Sequence, residues 1–536
     1  MADYDVITIG AGHTGLMASI LCANMGKKVL CLEKNDFVGG LAGNAHYWPG
    51  YTHSYGAWYL MFSRLEWLEK EFELSKYGLE LIYPDCPGVV MAGAGKGRTP
   101  FKMFADPKEQ MENIAKDFGP ETVQCFQNFY GFLAPFAQAM DYALGNEPMS
   151  VGQMMDAMPV QARDTMVKLF YGDVYSMINE FFPDREKQAA IRAQLMGLGT
   201  DGFYGGIRTP GSALTLAYHS TTPESGSGGS PYRFPKGHMG AFSETLARSF
   251  EAKGGELRLN TPVAKILQKN GTVYGVRLAD GSEITCDKLI SSLDPGNNFL
   301  KLMDADDLDP FFRKQVIEYK ERCTDEHIAQ AYVALNRVPE FSDEFKELND
   351  GAWRNFVWDF DPDVAEDDWD AVKNGKLGQY CFATGLGVFS SLDPSLAPEG
   401  KHSATICAQY AWPIRTGKKI DMKQQMAESA EMMIRSYERY MPDFRKCVDD
   451  IHVGNPMEWE DLFGVTGGTW THGMVKIENM FNCRPIVGMS DYRAPIKNMY
   501  LCGTSNHPGP GMSGFAPKNC VDAIKYDESN GKNRKK

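Results

Sequence analysis

None of the twelve cysteines is spaced as CxxC, and none falls in a metal-ligand pattern. That argues against a redox-active disulfide of the disulfide-reductase kind and against a structural metal site. Scattered, reduced core thiols in a cytoplasmic protein are the expectation. No run of about 18 uninterrupted apolar residues occurs, so a spanning helix is not expected. Positive charge is in deficit: 55 Lys and Arg against 69 Asp and Glu leave a net charge of −14. Such a balance argues against nucleic acid as a partner and against charge-driven docking on anionic lipid. An apolar strand already begins at Tyr4, which leaves no room for a signal or transit peptide. What is present is globular: 43% hydrophobic and 23% charged residues exclude wholesale disorder. The 536 residues suffice for two or three domains with sizeable cores.

The most informative local pattern is Gly10, Gly12 and Gly15, set between the apolar run Tyr4–Ile9 and a helical stretch from Leu16 to Met25. A second strand, Lys28–Leu32, ends in Glu33, 18 residues beyond Gly15. This is the dinucleotide-binding βαβ unit. Gly10 permits the tight turn, Gly12 lets backbone approach a pyrophosphate, and Gly15 lets helix and strand pack closely. The helix N-terminus offers its N–H groups and positive dipole end to the phosphates. Glu33 is placed to accept hydrogen bonds from a ribose. Gly39 and Gly40 follow shortly after; a nicotinamide site does not need them, and they move the expected cofactor from NAD to FAD.

Along the chain, residues 1–70 form a first part of the cofactor domain. Residues 71–230 read as a mainly helical, aromatic-rich substrate-binding part, in which Val123–Leu133 has the wide apolar coverage of a buried core helix. The run Ser225–Ser230 reads as a flexible loop. Residues 231–300 return to the cofactor domain: a helix from Ala241 to Ala252, hairpins turning at Lys269–Gly271 and Ala279–Gly281, and a short buried strand at Lys288–Ser292. Residues 301–455 read as a second domain of sheet plus helices that roofs the cofactor. Residues 456–536 complete the cofactor domain with a strand at Asn498–Gly503 and a helix from Pro517 to Tyr526. The fold class is therefore α/β, a discontinuous Rossmann-type FAD-binding domain with an inserted α+β substrate domain and a helical segment.

Gly509–Gly514 also spells GxGxxG after a strand, but only 22 residues follow it. A second dinucleotide site needs another strand beyond its helix. The alternative is a helix N-terminus aimed at the flavin ring, where a dipole stabilises the charge of the reduced form.

Four stretches then carry a family resemblance: Asp5 to Gly40; Pro235–Gly240 continuing to Val263 and Asp294-Pro295; Asp393–His402; and His472-Gly473 with Arg484-Pro485 and Gly503–Gly514. Together they resemble the phytoene desaturase-like branch of the FAD-dependent amine oxidase superfamily, in particular its pyridine nucleotide-disulfide oxidoreductase domain-containing members. Family members commonly have Gly-Gly where this chain has Gly237-His238, and a glycine where it has Pro510. The resemblance implies cofactor contacts from Gly10, Gly12, His13, Thr14 and Gly15, then from Glu33, Lys34, Gly39, Gly40, Leu41 and Ala57. It adds Val263, through its backbone to the adenine, and Gly503, Gly511, Met512, Ser513 and Gly514.

The resemblance also implies hydride transfer between a substrate carbon and flavin N5, making or removing a C=C bond. Removing a C–H proton calls for a titratable group, and the candidates are His507, His472 and Arg484, with Tyr55 behind them. Each has a structural alternative: local capping for His507, loop orientation for His472, a carboxylate pair for Arg484. Trp58 reads equally as core or as substrate contact. The expected partners are a hydrophobic small molecule and an electron acceptor drawn from oxygen, a quinone or another carrier. Peripheral membrane contact through an apolar tunnel mouth is compatible with this reading, and no metal is expected. Two other activities compete: a flavin amine oxidase acting on a C–N bond, and a non-catalytic lipid-binding chaperone on the same fold.

Overall fold

The opening residues build the scaffold of the site: β1 (Tyr4–Ile9), α1 (His13–Asn24) and β2 (Val29–Leu32). This computed structural model describes residues 2–60, 65–93, 98–220, 233–323, 326–413 and 421–530. The segments Ser225–Ser230 and Gly531–Lys536, singled out from the sequence, lie outside them. β1 and β2 are parallel and almost wholly buried because both faces of this sheet are covered. α1 is buried along most of its length, packed between the helices His238–Ala252 and Phe515–Asn530.

The strand Glu283–Ser291 joins two kinds of pairing. Its first residues run antiparallel to Thr272–Leu278, which in turn pairs with Val263–Lys269. Its later residues run parallel to β1 on one side and to Met499–Leu501 on the other. The strand is nine residues long and starts before Lys288, where the sequence reading began it. The early half alternates exposed Glu283 with buried Ile284, so only the fully buried end reads as a parallel strand. Beyond β2 lies Glu256–Arg258, also parallel.

A second seven-stranded sheet runs in the order Val448–Gly454, Ala329–Leu335, His402–Gln409, Ala383–Gly387, Phe356–Phe360, Gly88–Met91, Phe101–Met103. One face packs on the helix Met422–Glu438 through Met432, Met433 and Tyr437. The other packs on the helical region, where Phe126, Phe129, Leu133 and Phe136 of the helix Pro120–Gly145 are core residues. The stretch 71–230 is thus not helical alone. Its strands Gly88–Met91 and Phe101–Met103 close the sheet built otherwise from residues after 328, the first of them in parallel to Phe356–Phe360. Among the described residues no helix is long and apolar enough to cross a membrane. No group of His, Cys, Asp and Glu there could hold a metal ion, and all twelve cysteines are free thiols.

Candidate functional site

The turn from β1 into α1 borders a cavity of about 100 Å³. Its three glycines differ in what surrounds them. Gly10 has φ +91°, and a Cβ there would strike the Ser292 hydroxyl. A Cβ on Gly15 would collide with the Gly10 carbonyl oxygen. On Gly12, by contrast, the nearest atom would be the Gly39 carbonyl oxygen, 4.0 Å away, so backbone here borders open space. No side chain caps α1 at Gly12; its first N–H groups and positive dipole end face the cavity. Gly39 closes the opposite wall, its N–H bonded to the Ala11 carbonyl at 2.9 Å.

Glu33, at the end of β2, is buried and lines the cavity. One carboxylate oxygen accepts the Ala11 N–H at 2.8 Å and the other the Asn35 N–H at 3.0 Å. Each oxygen keeps a lone pair, as a ribose acceptor requires. The backbone of Glu33 accepts from Thr261 at 2.8 Å, which ties this end to the start of the strand holding Val263.

The other end is built by loops. Asp294 accepts from Asn297 N–H and the Thr466 hydroxyl on one oxygen, and from Asn297 Nδ2 and Thr466 N–H on the other, at 2.6–3.1 Å. This fixes the wall residues Gly464 and Val465. Arg484, 1% exposed, holds the adjoining loop: its guanidinium donates to the carbonyls of Thr471 (2.6 Å), Thr504 (3.0 Å), Asn479 (3.1 Å) and Gly473 (3.2 Å). Every bond goes to a backbone carbonyl. Arg484 therefore neither pairs with a carboxylate nor reaches a substrate anion; it positions the loop that carries His472.

His472 lies in this wall with φ +50°, half-buried, its Nδ1 enclosed. His13, the first residue of α1, faces the same cavity and bonds to the Gly511 carbonyl. Burial lowers both imidazoles to about 4, so both are neutral at pH 7. Asp294 pulls His472 back up, while Arg484 depresses it further.

Of the expected contacts, Gly10, Gly12, His13, Thr14 and Glu33 line the cavity, as do Gly39, Gly40, Leu41 and His472. Others sit behind its walls. Lys34 donates to the Asp461 carbonyl at 3.0 Å, and Ala57 N–H donates to that of Leu41 at 3.3 Å. Gly503 lets its turn pass against the Ser292 backbone. Val263, Met512, Ser513 and Gly514 do not line the cavity, and Gly511 meets it only through His13.

His507 is also outside the cavity: it is 1% exposed, and its carbonyl accepts from Tyr492 Oη at 3.1 Å. Tyr55 does not line the cavity; it stacks on Phe37 at 5.6 Å and packs edge-on behind the lining residue Phe463 at 4.9 Å. Trp58 is core, its indole N–H bonded to Gln330 Oε1 at 3.1 Å and its ring against Trp358 and Phe389. Cys502, buried against the Thr14 carbonyl with its thiol pushed well up by burial, offers no thiolate for covalent attachment.

Sequence reading missed Ser292, Leu293, Asn297, Phe463, Val465 and Thr504, which come from loops brought together by the sheet order. Asp294-Pro295, His472-Gly473, the strand Lys288–Ser292 and the stretch Gly503–Gly514 marked their neighbourhood in the sequence. The open space at Gly12, the uncapped helix end, the available lone pairs of Glu33 and the unpartnered His13 Nε2 and His472 Nδ1 fit FAD, and this cavity is the candidate site for it.

A family model described as flavin containing amine oxidoreductase matches residues 196–514, and one for NAD(P)-binding Rossmann-like domains matches residues 8–68. The chain is 26% identical to pyridine nucleotide-disulfide oxidoreductase domain-containing protein 2 of Rattus norvegicus, over 98% of this chain and 94% of that one. It is 24% identical to the lycopene-forming phytoene desaturase of Pseudescherichia vulneris, over 95% and 96%. Among solved structures it superposes on cyclohexylamine oxidase from Brevibacterium oxydans with a TM-score of 0.58 at 16% identity, covering 99% of this chain and 100% of that one.

Proposed function

Because the chain belongs to the flavin-containing amine oxidoreductases, in their phytoene desaturase-like branch, we propose that it dehydrogenates or saturates a carbon–carbon bond in an uncharged hydrophobic substrate. The observation that carries this reading is the electrical neutrality of the loop-built end of the cavity. Asp294 and Arg484 are the charged groups there, and each is saturated by its own neighbours. The side chains that retain unfilled hydrogen-bonding valence, His13 and His472, are neutral at pH 7. A cationic amine would meet no available carboxylate at this end. The near full-length similarity to a phytoene desaturase supports the same reading.

Bound FAD supplies hydride chemistry at N5. The chain's own residues would do the rest: α1 and Gly12 would receive the diphosphate, Glu33 would accept from the ribose, and Arg484 with Asp294 set the loop that would shield the other end from water. Electrons leave to oxygen, a quinone or another carrier.

The test is anaerobic bleaching of the bound flavin by a panel of terpenoid, steroid, alicyclic and amine compounds. Bleaching by hydrocarbons with a new or lost C=C in the product is the expected result. Bleaching by amines alone would assign the protein to C–N oxidation instead. Recolouring under oxygen or with a quinone then identifies the acceptor.

A further inference from the structure

Residues 54–58 run between the cavity wall and the second sheet, and their polar groups are divided between the two. Towards the cavity, Tyr55 N–H donates to the Gly43 carbonyl at 3.1 Å and Ala57 N–H to the Leu41 carbonyl at 3.3 Å. Gly56 lies so close to the wall that a Cβ there would be 3.1 Å from the Leu41 carbonyl oxygen. Leu41, with Gly39 and Gly40, lines the cavity. Towards the sheet, the Ser54 and Tyr55 carbonyls meet the strand Ala329–Leu335. Gln330 Nε2 donates to Ser54 at 2.9 Å and to Tyr55 at 3.3 Å, and its Oε1 accepts the Trp58 indole N–H at 3.1 Å. Tyr332 Oη donates to the Tyr55 carbonyl at 2.6 Å. Gln330 and Tyr332 are fully buried and do not line the cavity. Both amide hydrogens and the carbonyl oxygen of Gln330 are thus spent on one segment.

We propose that Gln330 is a positioning residue: through it the second sheet fixes the cavity wall at Leu41, and filling of the cavity by FAD in turn orders that sheet. Binding linkage makes the effect reciprocal, since a strand that favours the FAD-binding arrangement of the wall is itself steadied by FAD. The path is a chain of groups in contact, from the Gln330 amide through the backbone of 54–58 to the Leu41 carbonyl. A close-packed interior passes a displacement along such a chain instead of absorbing it. Without the Gln330 amide, the Trp58 indole N–H and the Ser54 carbonyl lose a buried partner, which is costly, and 54–58 shifts against the wall. The inference rests on FAD occupying this cavity and does not depend on the substrate reading.

The experiment pairs FAD titration of the apoprotein with hydrogen–deuterium exchange of the apo and FAD-saturated forms. In the wild type, FAD is expected to slow exchange at residues 39–43 and also at Ala329–Leu335. Gln330→Leu should weaken FAD binding by at least about tenfold. At saturating FAD it should keep the protection at 39–43 and lose that at Ala329–Leu335, a separation that mere damage to the fold does not produce. Cys407, paired with Gln330 on the neighbouring strand, is the control: Cys407→Ala trims the same sheet while leaving the bonds to 54–58, and should behave as wild type. Wild-type protection confined to 39–43 would overturn the proposal, as would protection of Ala329–Leu335 that survives in Gln330→Leu. Absence of protection at both segments would overturn the cofactor reading and the coupling with it. Should Gln330→Leu fail to fold, Tyr332→Phe decides, since it removes one bond to the same segment. Reduced protection of Ala329–Leu335 then supports the coupling, and unchanged protection refutes it.

Discussion

At the scale of single residues, the site separates side chains that touch the cavity from those that shape it. Glu33 touches it, and a hydrogen bond to a charged acceptor contributes about 1.5–3 kcal/mol. Glu33→Ala is therefore expected to weaken FAD binding by about 10- to 150-fold, read by fluorescence titration of the apoprotein. Arg484 shapes the site. Arg484→Lys cannot reproduce a fork that meets several carbonyls at once. It should lower unfolding stability by at least about 3 kcal/mol and reduce FAD occupancy, while KM for substrate stays unchanged in the fraction that retains FAD. A raised KM at full occupancy would restore the role of a substrate clamp. The sequence made the first kind of residue legible where a backbone motif demanded it, as with Gly12 and Glu33. It could not distinguish an arginine that binds ligand from one that binds loop, because both look like a lone Arg before a proline.

Individual elements were legible where one local constraint fixed them. The β1–α1–β2 unit follows from glycine spacing and a continuous apolar strand. The strands Gly88–Met91 and Phe101–Met103 carry no such signal: each is short, and their place is set by pairing with a strand far along the chain. The glycines of the first unit give the sharpest test at this scale. In Gly15→Ala the added methyl meets the Gly10 carbonyl, so helix and strand must separate, at a cost of about 1–3 kcal/mol. Gly12→Ala meets only open space and should leave the apoprotein within about 0.5 kcal/mol of wild type. Its FAD affinity should nevertheless fall by at least about tenfold, or 1.4 kcal/mol. Chemical denaturation of both apoproteins, paired with FAD titration, separates the two effects.

For the whole molecule, buried titratable groups set the response to acid. Burial lowers His13, His327 and His472 to about 4, and His53 and His238 to about 3. Between these values and 6.5 the unfolded chain binds more protons than the folded one, so stability falls as pH drops through that window. Glu326 and Asp368, raised to about 7 by burial, act oppositely: between about 4 and 7 the folded state holds their protons, and stability falls as pH rises. Asp359, raised by burial as well, acts in the same sense, so five groups oppose three. The net expectation is a denaturation midpoint that declines from pH 6.5 to pH 4.5, and a shallower decline in His327→Phe. A midpoint that rises on acidification would show that the carboxylates dominate. None of this was legible in the sequence, since ten histidines spread along 536 residues do not reveal which become enclosed.

The two segments that meet at His13 and Gly511 also impose an order on biosynthesis. The Gly10–Gly15 turn and the segment from Met499 to Gly514 lie hundreds of residues apart, so the nucleotide sheet stays unfinished until the later one has been made. A polypeptide that stops short of Met499 lacks the strand that pairs with Glu283–Ser291 and is expected to take up no cofactor.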